Sequence, residues 1–291
     1  MSQHVKQSAL GVPFTFTLMG CGSSAGVPFG PGWWGACDPD QPRNRRTRSA
    51  ALVQSATTTV LIDAGPDIRQ QLLDTPHERI DHVFITHEHS DHIAGLDDLR
   101  FYVYRQKKQI EVSMLARTAE NLRRRMGYLF QAESTLYPAL YNVTEREISD
   151  SAFTTVTIGD LRFDLFEQPH GDITSIGMVI NGAMAYSTDC VDLAQSTLDL
   201  LAGQELDLWI VDAAVPKQHY SHANTEMTLA WTKQVKAKHN VFTHLGHNQD
   251  YQTLADRLNG EEPYAEPAYD GMVFGFDASG TMIQPAGTAA T

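Results

Sequence analysis

The sequence predicts a mixed α/β sandwich. Two observations carry that expectation. Twelve short apolar runs alternate in polarity or are rich in β-branched residues, and stretches of helical spacing lie between them. Strands interleaved with helices point away from an all-β fold, because the helices are then available to cover the sheet faces.

The elements follow in chain order. The first strand candidates are "FTFTLMG" (14–20), "SAALVQ" (49–54), "TTVLID" (58–63), "DHVFIT" (81–86) and "IEVSMLA" (110–116). Between them "PDIRQQLLD" opens with Pro66, whose fixed φ suits a helix start, and "RTAENLRRRMGYLF" (117–130) has helical spacing. Residues 133–152 are irregular, with the character of an insertion or lid. Further strands are predicted at "FTTVTIG" (153–159), "LRFDLFEQ" (161–168), "TSIGMVING" (174–182), "AMAYSTD" (183–189), "LDLWIVDA" (206–213), "NVFTH" (240–244) and "GMVFGFD" (271–277). In "LRFDLFEQ" strict alternation puts Leu161, Phe163 and Leu165 on one face. The stretch "NTEMTLAWTKQVKAKH" (224–239) reads as a helix with an Asn/Thr cap and lysines in its last turns. No repeat of fixed period is present, and low complexity is confined to the tail "GTAAT".

A length of 291 residues, 42% hydrophobic and 20% charged, fits a globular protein with an ample core, read here as one domain over 1–291. Cys21, Cys37 and Cys190 are too few and too scattered for a disulfide framework, so a reducing compartment is expected. The stretch "MSQHVKQSALGVPFTFTLMG" lacks the apolar core of a signal peptide, and no run approaches a membrane span. A cytoplasmic location without a membrane partner follows as an expectation. The formal net charge of −13 repels polyanions and disfavours long nucleic acid as a partner. A small anionic substrate stays open, because bound cations reverse the sign locally.

"FITHEHSDHIAG" (84–95) sets His87, His89, Asp91 and His92 within six positions, directly after a strand-like run. Side chains alternate along extended backbone, so His87 and His89 point the same way and can share one ion. A turn at Ser90 presents Asp91 and His92 in a second direction. Nothing in strand or turn chemistry asks for histidine there, so the ligand reading outweighs an accidental surface cluster. Imidazole suits Zn, Fe, Ni or Cu, and carboxylate extends the choice to Mn. Among the 12 histidines, position selects the rest. His170 in "QPHG", Asp189 after "AMAYST" and His244 after "NVFT" all sit where strands run out into loops, with Pro169 ending its strand.

The pattern HxHxDH, followed by a lone His, a lone Asp and a last His after a strand, resembles the metallo-β-lactamase superfamily. The likeness runs from "LMGCGSSAGVP" to "YDGMVFGFD" and implies a four-layer αββα sandwich with two divalent metal ions, Zn or Mn, with Fe as a third option. Carried over, His87, His89 and His170 hold one metal, Asp91, His92 and His244 the other, and Asp189 bridges them together with a hydroxide. Asp63 in "LIDAG" matches the family's Asp–x–Gly and orients a ligand histidine. The residual positive charge of such a centre favours an anionic group and suits in-line attack at phosphorus.

His89 in place of an acid disfavours the di-iron redox branch. The lack of an export signal disfavours true β-lactamases, and Cys190 beside Asp189 reads as packing. The 47 residues after His244 disfavour the glyoxalase branch, with its helical domain there. "GCGSSAGVP" before "NRRTRSAALV" resembles the phosphodiesterase of the carbon–phosphorus lyase pathway and tRNA 3′-end endonucleases. "SHANTEMT" adds His222 just before a helix, which the resemblance makes the proton donor to the departing oxygen. The competing reading of His222 is a loop residue capping that helix, and His247 in "HLGH" faces either the pocket or solvent.

The family's cysteine-rich zinc loop corresponds to "FGPGWWGACDPDQPRNRRTR", which keeps only Cys37, so its structural zinc is expected to be absent. Trp33, Trp34 and the prolines take over packing the loop, or the loop forms a homodimer interface. Arg43, Arg45, Arg46 and Arg48 read as a solvated basic face, with Arg48 near enough to the next strand to reach a substrate phosphate. "GCGSSA" imitates a dinucleotide fingerprint, but the Gly- and Pro-rich run after it cannot open the required helix, so it reads as a tight loop lining the cleft. The resulting expectation is a binuclear hydrolase of a small cyclic or nucleotide-like phosphodiester, with Asp91 in the catalytic centre and His222 as acid. Ester, lactone or thioester hydrolysis, and nucleotide binding without turnover, are the alternatives.

Overall fold

The computed structural model describes residues 11–132, 134, 138–149, 152–262 and 264–283. The "GTAAT" tail, residues 1–10, and residues 133, 135–137 and 150–151 of the irregular stretch lie outside them.

The first six strands are β1 (Phe14–Gly20), β2 (Ala50–Ser55), β3 (Thr59–Ile62), β4 (His82–Phe84), β5 (Ile110–Leu115) and β6 (Tyr141–Arg146). Seven more follow: β7 (Thr154–Ile158), β8 (Leu161–His170), β9 (Ile173–Ile180), β10 (Met184–Ser187), β11 (Leu208–Asp212), β12 (His239–Thr243) and β13 (Ala265–Pro267). Strands β14 (Met272–Phe276) and β15 (Met282–Ile283) return to the first sheet, whose order is β15-β14-β1-β2-β3-β4-β5-β6. The second sheet runs β13-β12-β11-β10-β9-β8-β7.

Alternation sorts the side chains into three cores. Phe16, Leu18, Val53 and Ile62 meet Leu161, Phe163, Leu165 and Ile210 between the two sheets. Leu52 and Leu61, one residue out of phase, point to the opposite face and pack with Ile68, Leu72, Leu99 and Leu122. On the far side Trp209 and Val211 pack with Leu198, Leu229 and Leu258. The covering helices are α1 (Ile68–Asp74), α2 (Ser90–Ile93), α3 (Arg100–Gln106) and α4 (Ala116–Met126) on the first sheet. Helices α5 (Gln195–Ala202), α6 (Thr225–Val235) and α7 (Tyr251–Glu261) serve the second. The expected αββα order is present: helices, two sheets, helices.

Two expectations need correction. Pro169 does not end its strand: β8 continues to His170, with Pro169 opposite Thr174 and His170 opposite Ile173. Proline is accommodated near a strand end, where a missing N–H costs little, and Gly171 at φ +59° makes the turn. The stretch read as irregular contains β6, paired in parallel with β5. Its sequence "YNVTER" is too polar for a strand buried on both faces, and it sits at the sheet edge. Among the described residues no helix is long and apolar enough to cross a membrane.

Candidate metal centre

Both sheets deliver their polar residues to one edge of the sandwich. Asp63 follows β3, and His87 and His89 follow β4. His89 caps α2, which carries Asp91 and His92. His170 ends β8, Asp189 follows β10, Asp212 ends β11 and His244 follows β12. Strands β3 and β4 are parallel neighbours, as are β10, β11 and β12, so these residues emerge on the same side. Asp63, Asp189 and His244 each have φ between +52° and +63°. Non-glycine residues rarely adopt that left-handed backbone, and its clustering here marks turns that aim side chains inward.

The seven predicted ligands converge. Ligand atoms of His87, His89 and His170 lie within 4.8 Å of one another, and so do those of Asp91, Asp189 and His244. Nε2 of His92 is 3.3 Å from both Asp91 and Asp189, and the same Asp189 oxygen is 3.7 Å from His87 and 3.8 Å from His170. Asp189 therefore stands between the two groups. His89 is exposed and the other four histidines of the cluster are buried, which leaves an opening on the His89 side.

Tautomers can be read from the outer hydrogen bonds. Nδ1 of His92 donates to Asp63 at 2.6 Å, and Nδ1 of His170 donates to the Ser221 carbonyl at 2.6 Å. Thr86 donates its hydroxyl to Asp63 at 2.8 Å and so accepts from Nδ1 of His87 at 3.0 Å. Ser49 donates to the Gly22 carbonyl and accepts from Nδ1 of His244 at 2.9 Å. Each Nε2 is left as a bare lone pair. Those of His87, His92 and His244 are buried without a partner, and Nε2 of His170 faces Nδ1 of His89 at 3.0 Å. Buried acceptors facing one another are costly unless a cation sits among them. The residues present thus fit a divalent metal centre.

Electrostatics agree. Burial holds His87, His170 and His244 below the usual imidazole range, in the neutral form that binds metal. His92 is the exception. Burial opposes its charge, but Asp189, Asp91 and Asp63 together pull it upward, so a proton stands where a cation would serve. Burial works against the Asp189 carboxylate, yet His244 and His92 hold it well below its ordinary range.

His222 precedes α6, with its ring 4.7 Å from those of His170 and His244. Asn224, not His222, caps the helix by accepting from the Met227 amide. Nδ1 of His222 bonds the buried Asp212 carboxylate at 2.9 Å. Burial disfavours its charge, but Asp212 outweighs burial and pushes His222 up to about 9.

Sequence reasoning missed Asp212, Ser49 and Thr86. Asp212 ends "LWIVD" as Asp63 follows "TVLI", a shared strand-end signal. It also missed Glu88, which alternation turns away from the centre to Arg117 and Thr118 at 3.0 Å each.

In the loop 29–48, Arg43 and Arg45 are exposed as expected, but Arg46 is buried and Arg48 half-buried. Arg46 is buried at 1% exposure and donates to the carbonyls of Gln249 at 2.8 Å and Gly246 at 3.3 Å. Arg43 lies against the rings of Tyr251 and Tyr269. Arg48 is bound to both oxygens of Asp67 at 2.9 Å. Trp34 packs under Arg45, and Trp33, although 55% exposed, lies against the His247 ring. Gly22 in "GCGSSA" bridges to Arg48 and Leu245, and no helix opens there.

Two facing sheets under helices, with histidines and aspartates gathered at one edge, define the class: a four-layer sandwich with a candidate metal centre at the sheet ends. The chain belongs to the β-lactamase superfamily, whose superfamily domain matches residues 58–245. A structure described as a new diphosphatase of the PhnP family superimposes with a TM-score of 0.80 at 27% identity, over 91% of this chain and 98% of that one. The short form of human tRNase Z gives 0.64 at 20% identity over 89% and 98%, a likeness of fold. An octanoyltransferase of Porphyromonas gingivalis is 30% identical over 269 residues, 92% of this chain. The chain spans 52% of that relative, about half its length.

Proposed function

We propose that the centre holds two divalent ions and hydrolyses a small phosphodiester. His87, His89 and His170 would hold one ion, Asp91, His92 and His244 the other, and Asp189 both. Bound there, Zn, Mn or Fe ions would lower the pKa of a water and neutralise phosphate oxygens. The observation that carries the reading is the Asp212–His222 pair beside this cluster. Asp212 keeps a proton on His222 at neutral pH, and His222 delivers it to the departing oxygen. A water oxygen forms the new bond to phosphorus as the ester P–O bond breaks, the ester oxygen takes the His222 proton and leaves as an alcohol, and Asp212 keeps the now neutral imidazole oriented. Asp63 and Ser49 keep His92 and His244 in the tautomers that leave Nε2 free. The diphosphatase likeness supports phosphorus chemistry.

Ester or thioester hydrolysis is the second reading, favoured by the likeness to a protein named for acyl transfer. The test is hydrolysis of bis(p-nitrophenyl) phosphate against p-nitrophenyl acetate, by stripped protein and by protein reloaded with Zn or Mn. Metal-dependent release from the phosphate supports the proposal. Release from acetate alone moves acyl chemistry to the front, and release from neither, with metal bound, leaves ligand binding without turnover.

A further inference from the structure

Phe29 and Trp33 are 47% and 55% exposed, in a chain that buries most of its large apolar side chains. They are held rigidly. Phe29 and Trp33 exchange two backbone hydrogen bonds of 2.8 and 2.9 Å, closing a tight hairpin tip. The Trp33 ring rests on His247 with centroids 4.6 Å apart, and the Phe29 ring meets Trp33 edge-on at 6.1 Å. The loop is pinned to His247 from below. The Ala36 amide donates to the His247 carbonyl at 2.9 Å, and the Cys37 thiol reaches the same oxygen at 3.5 Å. Gly35, at φ +63°, lets the backbone approach: a Cβ there would lie 2.5 Å from the His247 carbonyl oxygen.

His247 is three residues after His244, and three residues of chain span at most about 11 Å. The backbone between them is fixed by Leu245 donating to Cys21 at 2.8 Å and Gly246 donating to Ala214 at 3.1 Å. The aromatic surface is therefore carried on the short segment that leaves His244. Ordering it costs the ligand nothing, since the protein has already immobilised it. Planar π faces on such a surface stack bases with little regard to sequence.

We propose that Trp33, supported by His247 and edged by Phe29, is the stacking platform for the aromatic group of the substrate, and that the substrate is a nucleotide diester rather than a simple sugar phosphate. This rests on the phosphodiesterase reading above.

The test uses two esters with one leaving group, thymidine 5′-(p-nitrophenyl phosphate) and methyl p-nitrophenyl phosphate, on the metal-loaded protein. Wild type prefers the thymidine ester in kcat/KM. Trp33→Ala lowers that preference roughly tenfold, and Trp33→Phe retains most of it. A preference unchanged in Trp33→Ala overturns the proposal. Quenching of tryptophan fluorescence by adenosine monophosphate gives a readout without turnover, present in wild type and lost in Trp33→Ala. Quenching that survives the substitution overturns the platform. Wild-type protein inactive on both esters overturns the phosphodiesterase reading instead. A dimer in size-exclusion chromatography that Trp33→Ala converts to monomer, with the ester preference intact, makes the tip an interface between copies and also overturns the proposal.

Discussion

Asp212 accepts Nδ1 of His222 at 2.9 Å while backbone amides hold both of its carboxylate oxygens. Its second oxygen takes the Ala214 amide at 2.8 Å, and the oxygen shared with His222 also takes the Cys190 amide at 3.0 Å. The amides fix the carboxylate, and the carboxylate fixes the imidazole.

This sets a pH dependence. His222 is pushed up to about 9, with burial opposing and Asp212 prevailing. An acid must be protonated to act, so kcat holds through neutral pH and declines as pH passes about 9. Asp212→Asn removes the charge and moves that limb down by one unit or more, as a kcat–pH profile of each protein would read. The folded value is raised above the unfolded one. The stabilisation, roughly 3 kcal/mol, is therefore fully present below the unfolded pKa and lost as pH rises through about 9. An unshifted limb in Asp212→Asn would show that His222 is not the group observed.

Asp63 holds three donors: Nδ1 of His92 at 2.6 Å, the Thr86 amide at 2.8 Å and the Thr86 hydroxyl at 2.8 Å. Asn tolerates the same left-handed backbone but offers only one acceptor face. Asp63→Asn is expected to weaken metal affinity about 10- to 100-fold while the fold persists. Metal titration with circular dichroism of the same samples checks both halves.

Metal removal should be felt as instability. Without a cation the lone pairs of His87 and His244 stay buried and unpartnered, and His92 has to carry a buried proton instead. Exhaustive chelation is expected to lower Tm by about 5–10 °C, with recovery on adding Zn or Mn. His170→Ala should cut bound metal from two equivalents towards one, measured by atomic emission; two full equivalents in that variant would remove His170 from the ligand set.

Arg46 ties the loop 29–48 to the segment after His244 through the carbonyls of Gly246 and Gln249 and through Asn44. Arg46→Met leaves those acceptors buried and unsatisfied, at about 2–4 kcal/mol. Lysine, a point donor on a flexible stem, is not expected to restore the loss. Urea denaturation of the three proteins gives the comparison.

Legibility followed sequence distance. His87, His89, Asp91 and His92 declare themselves because strand alternation and one turn suffice to bring them together. His170, Asp189 and His244 needed the family resemblance, since each alone is an ordinary strand-end residue. Strand β6 was missed because an edge strand need not be apolar, and Arg46 was misread because arginine on a loop is usually solvated. Its burial depends on carbonyls some two hundred residues away.

By itself, the sequence determined the alternating strands, the helices between them and the local HxHxDH cluster, because backbone sterics and side-chain period act over a few residues. Only the tertiary structure decided that Asp212 charges His222, that Ser49 and Thr86 set imidazole tautomers, and that Trp33 meets His247 while staying exposed. These are contacts between strand ends and loops. Local chemistry places each residue at its turn, but only the packing of two sheets decides which turns meet.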